Sequence, residues 1–378
     1  MALKLRIVSD TRARAARARA ELGSEQPKRR GFYLVIAAVV GVVAVVSVLV
    51  AAGSNPKSIA GPVNTTNLPD IRPAPALAAK GWINTAPLTS ADLAGKVVLY
   101  DFWTYSCINC VRTLPYIRAW YDRYRANGLV IIGVHSPEFD FEKVHTNVEA
   151  AVKRLDVTWP VALDDDMTIW NAFKNNAWPA DYIADRDGQL RYTHIGEGDY
   201  DNTENVLRTL LAIPSSAPRA DKGVRAETAS GQAVNPETYL DVSHGEIGAV
   251  NGLHVYAPAN TLTAPAVALS GPWTGSDEKV TSAAGGATIG IGVHAQSVNL
   301  VLATATGVPM EAIVTLDSRP VPVADRGADI RVDATGQTVV NVTAPNMYRL
   351  VLAPGVEDHQ LNVVAKQAGL EAYDFTFG

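Results

Sequence analysis

Cysteine is the scarcest reactive residue in this sequence, because the 378 residues contain only Cys107 and Cys110. Two cysteines three positions apart exclude a network of structural disulfides, which would need pairs spread along the chain. They also argue against a structural zinc site, which takes about four protein ligands, since there is no second cysteine pair and no close histidine pair. We therefore expect neither a bound metal nor a cofactor.

Basic residues are also scarce outside the N-terminal end. Residues 1–30 carry nine Lys or Arg and three acidic residues, whereas the whole chain has a net charge of -5. The residues after position 30 therefore carry a net charge of about -11. A surface of that sign lacks the positive charge that contacts with phosphates require, which excludes nucleic acid as a partner.

Charge is absent altogether from residues 32–52, a run of 21 residues dominated by Val, Ala, Leu and Ile. As a helix this run would be about 31 Å long, which is enough to cross a bilayer. Three basic residues at 28–30 precede it, so the positive-inside rule places residues 1–30 in the cytoplasm. We predict a single-pass anchor in the cell membrane over residues 31–53, with the rest of the chain outside. A cleaved signal peptide is the alternative.

The chain after the anchor is long enough for two folded domains. Residues 54–79 and 214–234 are polar and aperiodic, which predicts linkers. They separate a first domain at 80–213 from a second domain at 235–378.

The pattern of the first domain predicts an α/β fold with a central sheet and flanking helices. Apolar runs of strand length at 97–103 and 129–134 enclose a helical stretch at 107–127, which predicts a β-α-β unit. A hairpin and a last helix follow. The remaining predicted elements are helices at 144–155, 167–174 and 202–211, and strands at 160–163, 181–184 and 189–195.

Short alternating stretches separated by Gly, Pro, Asn and Asp dominate the second domain. This spacing predicts an antiparallel, all-β sandwich without helices. The clearest strand patterns lie at 284–293, 298–304, 312–316, 338–342 and 348–352.

Both cysteines lie at the point where a helix follows a buried strand. A thiolate at a helix N-terminus is stabilised by unpaired backbone N–H groups and by the helix dipole. We therefore predict that Cys107 is the nucleophile and that Cys110, one turn further along, resolves the mixed disulfide. An inert structural disulfide is the alternative interpretation.

The residues around this motif resemble those of thioredoxins. Asp101, Phe102 and Trp103 precede Cys107 as the corresponding Asp-Phe-Trp precedes the CxxC of thioredoxins, and Pro115 has the place of their helix proline. The resemblance implies that Asp101 exchanges a proton with the second cysteine of the motif.

A second part of the resemblance concerns Trp178 and Pro179. Pro179 precedes the predicted hairpin and has the place of the thioredoxin cis-proline. The resemblance implies that it faces the CxxC motif and presents the backbone of Trp178 to an extended substrate.

Over about residues 85–212 the sequence resembles the exported redoxin domain of DipZ-type proteins within the TlpA-like group. The stretches at 133–139 and 196–200 carry this resemblance, and residues 235–378 resemble the carbohydrate-binding-like β-sandwich of the same proteins. DipZ-type proteins begin with several membrane helices that relay electrons, whereas this chain has one apolar run. The resemblance therefore implies a separate membrane thiol relay as the electron donor.

Several other side chains are candidates for supporting roles. Trp103, His135 and Glu138 are expected near the CxxC motif, where they would tune the thiols; packing is the alternative role for His135 and Glu138. Aromatic residues of the second domain are candidates for stacking on a glycan, and a core role is the alternative. The second domain is expected to orient the redox domain or to dock a protein partner, and a glycan is the alternative ligand. These aromatic residues are Tyr256, Trp273, Tyr348 and Tyr373.

The sequence as a whole predicts a membrane-anchored thiol–disulfide oxidoreductase that acts on thiols and disulfides of exported proteins, with apocytochrome c among the candidate clients. A thiol peroxidase of the peroxiredoxin type is one alternative: Thr104 fits its pattern, but Tyr100 stands where that family has proline. An anchored glycan-binding protein, with the first domain as a scaffold, is the other alternative.

Overall fold

Two β-sheets, one mixed and one antiparallel, organise the protein. A computed structural model describes residue 68 and residues 71–220, 234–258 and 261–378. The predicted cytoplasmic tail and membrane anchor lie outside these residues. Within the described residues, no helix is both long enough and apolar enough to cross a bilayer.

The first sheet has seven strands in the order β1-β7-β6-β3-β4-β5-β2. Strands β3, β4 and β5 are parallel, and the other pairs are antiparallel. Helix α2 crosses between β3 and β4, which confirms the predicted β-α-β unit. The strands are β1 (Arg72–Pro73), β2 (Gly81–Ile83), β3 (Val97–Trp103), β4 (Leu129–His135), β5 (Val161–Leu163), β6 (Ala180–Ala184) and β7 (Gln189–Ile195). The helices are α1 (Ser90–Leu93), α2 (Ile108–Tyr124), α3 (His145–Arg154), α4 (Thr168–Phe173) and α5 (Tyr200–Leu210).

Strand β3 is the centre of this domain, and all seven of its residues are buried. Its odd-numbered apolar residues face a cluster formed with α2, α3 and α5, whereas its even-numbered residues face a cluster formed with α1 and α4. A strand covered on both faces is expected to be almost entirely apolar, which explains six of its seven residues; Asp101 is the exception.

The first domain extends into both segments that the sequence predicts as linkers. Strand β1 pairs with β7, although two residues that include a proline leave no periodic pattern to recognise. At the other end, residues 214–220 fold back against α5. The Arg208 guanidinium donates hydrogen bonds to the carbonyl oxygens of Pro214 (2.9 Å) and Ala217 (3.0 Å).

The second sheet is antiparallel and contains two strands of unusual length, β12 and β17, which pair with each other along most of their residues. The first half of β12 also pairs with β10, and its second half pairs with β18. The sequence pattern predicts β12 as two strands, at 284–293 and 298–304, and the strand is irregular near Ala295, between them. It predicts only 348–352 of β17, because Pro354-Gly355 follows. Its strands are β8 (Thr238–Tyr239), β9 (Gly252–Tyr256), β10 (Val267–Gly275), β11 (Val280–Ser282), β12 (Thr288–Thr304), β13 (Met310–Leu316), β14 (Arg319–Pro320), β15 (Ile330–Val332), β16 (Thr338–Val342), β17 (Asn346–Ala365) and β18 (Leu370–Phe377).

A single 3-10 turn, Val323–Asp325, interrupts the strands in the described part of this region, in agreement with the predicted all-β class. Three of its candidate glycan-stacking aromatics are core residues. Trp273 is fully buried and donates its ring N–H to the Ser270 carbonyl oxygen (3.0 Å). Tyr348 and Tyr373 are also buried, whereas Tyr256 is partly buried.

Candidate active site at the start of helix α2

Cys107 is the N-cap residue of α2, as the sequence predicts. Its sulfur accepts a hydrogen bond from the Cys110 backbone N–H (3.2 Å), so the thiol satisfies one of the unpaired donors at the helix start. Both cysteines are free thiols. Cys107 is 7% exposed and Cys110 is fully buried. This difference in exposure fits Cys107 as the attacking thiol and Cys110 as the resolving one.

Asp101 lies on β3 behind the dithiol, where it is 1% exposed. Neither of its carboxyl oxygens has a hydrogen-bond partner within the described residues. Burial, and then the charge of Asp181, raise the pKa of Asp101 well above its ordinary value. Burial also raises the pKa of Cys110, and a negative charge on Asp101 raises it further. The two groups therefore compete for a proton, which is the relation needed for proton exchange between them.

Asp181 is a carboxyl group that the sequence analysis missed. It stands directly opposite Asp101 on β6, and His194 stands opposite Asp181 on β7. Directly opposed residues of antiparallel strands have side chains on the same face, about 5 Å apart at Cβ. Burial raises the pKa of Asp181 to about 7. These three residues form a row of titratable groups from the centre of the sheet towards its edge.

Glu142 fixes the loop that leads into Cys107. Its buried carboxylate accepts hydrogen bonds from the hydroxyls of Thr104 and Ser106 (2.6 Å for Ser106) and from the backbone N–H groups of Glu138 (2.7 Å) and Phe139 (3.1 Å). Burial raises the pKa of Glu142, and these hydrogen bonds oppose that shift. The carboxylate thus joins the loop after β3 to the loop after β4.

Trp103 and His135 lie beneath the same loop. The His135 ring is fully buried, stacks on Tyr105 and approaches the Thr104 hydroxyl with its Nε2 (3.4 Å). Burial lowers the pKa of His135 to about 3, so the ring stays neutral. Trp103 packs over Gly133, where a Cβ would lie 2.9 Å from its Nε1. Both side chains are buried, and Trp103 belongs to the apolar cluster that contains both cysteines; a role of Trp103 and His135 in tuning the thiols stays a prediction.

Trp178 and Pro179 occupy the loop before β6. Their peptide bond is cis, as the resemblance to thioredoxins implies. The Trp178 ring donates its N–H to the Ser136 carbonyl oxygen (3.0 Å) and packs against the apolar cluster that contains both cysteines. Their role in positioning a substrate remains a proposal.

The second domain contributes directly to the surroundings of the dithiol. The two sheets lie in one compact unit. Tyr373 belongs to the same apolar cluster as the cysteines, and Arg112 of α2 donates a hydrogen bond to the Phe377 carbonyl oxygen (3.2 Å). Glu138 accepts a hydrogen bond from the Tyr239 hydroxyl (2.5 Å). Glu138 is therefore an interdomain contact, which no local sequence pattern could indicate.

Comparison with known proteins matches the two halves of the chain to two families. Residues 69–211 match the family Redoxin, and residues 235–378 match the family described as thioredoxin like C-terminal domain. Protein DipZ of Mycobacterium tuberculosis (strain CDC 1551 / Oshkosh) is 35% identical over 315 residues, which cover 79% of this chain and 41% of that protein. The chain thus spans about two fifths of the length of this relative.

A shorter relative is matched over most of its length. Thiol-disulfide oxidoreductase YkuV of Bacillus subtilis (strain 168) is 30% identical over 134 residues, which cover 35% of this chain and 89% of that protein. A solved structure, the solution structure of a thioredoxin-like protein in the oxidised form, is 30% identical, covers 37% of this chain and 95% of its own, and superposes with a TM-score of 0.35.

Replacing Glu142 by Gln should destabilise the protein and loosen the loop before Cys107. Glutamine keeps one acceptor oxygen but loses the charge and places an amide N–H against donor groups, so we expect a loss of about 2 to 3 kcal/mol in the free energy of unfolding. Denaturant unfolding of the full chain measures this loss. The control is Glu149→Gln on the exposed side of α3, which should change stability by less than about 0.5 kcal/mol. Equal effects of the two substitutions would contradict the assigned role.

Replacing Asp181 by Asn should make stability less dependent on pH. Because the pKa of Asp181 is raised in the folded state, folding favours its protonated form, and this stabilisation is lost as the pH rises from about 4 through about 7. The free energy of unfolding of Asp181→Asn relative to the unsubstituted protein should therefore increase over that range. The control Asp187→Asn, in the exposed hairpin turn, should show a constant difference. A constant difference for Asp181→Asn as well would show that the carboxyl titrates normally.

Proposed function

Because this chain belongs to the thioredoxin-like redoxins of the TlpA/DipZ type, we propose that it is a thiol–disulfide oxidoreductase acting on disulfides of exported proteins. The observation that supports this most directly is the dithiol at the start of α2, with the less buried Cys107 as the N-cap and the buried Asp101 behind Cys110. That arrangement separates an attacking thiol from a resolving thiol.

In the proposed reaction, the Cys107 thiolate attacks one sulfur of a substrate disulfide. A bond forms between Cys107 and that sulfur, and the other substrate sulfur leaves with the electron pair of the broken bond. Cys110 then attacks the Cys107 sulfur, which forms the Cys107–Cys110 disulfide and releases the second substrate sulfur. The substrate is reduced by two electrons and the protein dithiol is oxidised.

Asp101 acts as the base in the second step, the attack of Cys110 on the mixed disulfide. Cys110 is buried and reacts only as a thiolate, so its proton must go to a nearby acceptor. A carboxyl group whose pKa is raised by burial is matched to a thiol better than an ordinary aspartate is. The row formed with Asp181 and His194 offers a route by which that proton reaches the edge of the sheet.

The proposal includes the location and the electron supply. We place the protein at the cell membrane through residues 31–53, with both domains outside, and assign its reduction to a separate membrane thiol relay. The uncharged run at 32–52 and the preceding basic residues support this topology. Exported thiol proteins, with apocytochrome c as one candidate, would be the clients.

The role proposed for the second domain is to complete the site and dock a partner; a glycan is the alternative ligand. The contacts of Tyr373 and Phe377 with the CxxC region support a role at the dithiol. The burial of Trp273, Tyr348 and Tyr373 removes three of the four aromatic side chains that favoured a glycan.

Cysteine variants of the full chain test the order of the two thiols. With a cystine-containing peptide, Cys110→Ser should accumulate a mixed disulfide at Cys107, because attack is possible but resolution is not. Cys107→Ser should accumulate none, and Asp101→Asn should form the mixed disulfide but resolve it about 10-fold to 100-fold more slowly. Mass spectrometry of acid-quenched samples measures each species. A mixed disulfide at Cys110 in Cys107→Ser would reverse the assignment.

The reduction potential of the Cys107–Cys110 couple tests the direction of the reaction. We expect a value near that of thioredoxin, about -270 mV, measured by equilibrating the full chain with glutathione or dithiothreitol and alkylating the free thiols. A value near about -120 mV would make the protein an oxidant and would contradict the proposed direction.

A further inference from the structure

The last strand of the second domain, β18, supplies part of the surroundings of Cys107. Tyr373 packs in the apolar cluster of the dithiol, and its ring contacts Phe139 and Phe141, with centroids 5.1 Å and 4.9 Å away. At the end of the strand, the Phe377 carbonyl oxygen accepts a hydrogen bond from Arg112. Both contacts join β18 to the first domain, one through the apolar cluster of the dithiol and one through Arg112 near the start of α2.

Asp374, which follows Tyr373, is a buried acid at this place. It is 1% exposed, and its Oδ1 has no hydrogen-bond partner within the described residues. Its carboxyl group interacts with that of Glu237, an exposed residue. A charge on Asp374 also interacts with a charge on Cys107. A buried acid of the second domain thus lies where its charge acts on the nucleophile, and its neighbour Glu237 is exposed.

A third carboxyl group, from the first domain, completes the cluster. Tyr239 stands opposite Asp374 in the sheet, and its hydroxyl donates a hydrogen bond to Glu138. We call Glu138, Glu237 and Asp374 the interdomain carboxyl cluster. Its members come from the loop after β4, the segment before β8, and β18. The arrangement exists only when both domains are packed together.

Burial favours the protonated forms of the cluster. Burial raises the pKa of Asp374 well above its ordinary value, and the charges of Glu138 and Glu237 raise it further. Burial raises the pKa of Glu138 to about 8. The other groups that act on the charges of the cluster are acidic as well, so they favour its protonated forms. These groups are Cys107, Glu142, Tyr239 and Glu246.

We propose that Asp374 donates a proton to the substrate sulfur that leaves Cys107, and that the exposed Glu237 returns a proton to Asp374 from solvent. The inference rests on the proposed thiol–disulfide exchange. When the Cys110 thiolate attacks Cys107, the bond between Cys107 and the substrate sulfur breaks, and that sulfur takes the electron pair. The Asp374 proton then converts the departing thiolate into a thiol, and Asp374 becomes a carboxylate.

This assignment gives each side of the dithiol its own carboxyl group. Asp101 receives the proton of Cys110, and Asp374 supplies one to the sulfur released from Cys107. Asp101 and Asp374 cannot replace each other, because Asp101 lies behind the fully buried Cys110 and Asp374 belongs to β18 of the second domain.

The test is the dependence of the rate on the leaving group. An alkyl thiolate is basic and leaves faster if it is protonated, whereas a thiolate of low pKa leaves without help. Single-turnover oxidation of the reduced full chain is measured with hydroxyethyl disulfide, which releases an alkyl thiol, and with dithiodipyridine, which releases a thiopyridone. Asp374→Asn should slow the first reaction about 10-fold to 100-fold and leave the second within about twofold. Asp358→Asn, an exposed carboxylate of the same domain, is the matched control and should change neither rate.

The outcomes separate the two proposals. If Asp374→Asn slows both disulfides equally, or slows neither, the proton-donor inference is wrong, although the proposed function stands. If the unsubstituted protein oxidises with neither disulfide while its thiols remain reactive to alkylation, the proposed function itself is wrong. Should Asp374→Asn not fold, Glu237→Gln provides the same contrast in steady-state turnover with hydroxyethyl disulfide and dithiodipyridine. Dithiothreitol re-reduces the Cys107–Cys110 disulfide in each cycle, and the rate without protein is subtracted. Slower reprotonation of Asp374 should reduce the rate only with the alkyl disulfide. An equal effect of Glu237→Gln on the rates with both disulfides would overturn the inference.

Discussion

The Glu142 carboxylate is the interaction on which the geometry of the site depends. It receives hydrogen bonds from the hydroxyls of Thr104 and Ser106 and from backbone N–H groups at 138 and 139. Because the first pair flanks the entry to α2, the carboxylate sets where Cys107 lies. Because the second pair belongs to the loop that carries Glu138, it also sets where the first domain meets the second. A single buried charge therefore relates the nucleophile to the domain interface.

The placement of the dithiol follows from strand β3. Both faces of this strand are covered, so its polar residue Asp101 is removed from water and its carboxyl oxygens find no partner within the described part of the chain. The strand ends beside Cys110, which is why the charge of Asp101 acts on that thiol rather than on a solvated one. The pairing of β3 with β6 brings Asp181 next to Asp101. Sheet register, more than local sequence, thus decides how protons are shared behind the motif.

The sequence predicted what is encoded locally. Strand β3, the helix start at Cys107 and the hairpin of β6 and β7 each have a compact pattern, and the structure has them within a few residues of the predicted bounds. Glu142, Asp181 and Asp374 were not predicted, because each acquires its role from residues far away in the chain. Asp374 illustrates this: it lies in an alternating strand like any other residue, and only the packing of β18 on the first domain brings its charge to act on Cys107.

Buried acids without full hydrogen bonding cost stability, and a fold that keeps several of them near one dithiol must gain something by it. Asp101 and Asp374 are each 1% exposed, and each leaves at least one carboxyl oxygen unpaired within the described residues. Apolar residues in these positions would pack without that cost. A two-thiol exchange, however, moves protons on both sides of the reacting sulfurs. Asp101 as the proton acceptor behind Cys110, and Asp374 as the proton donor on the side of Cys107, are the groups that such a reaction requires.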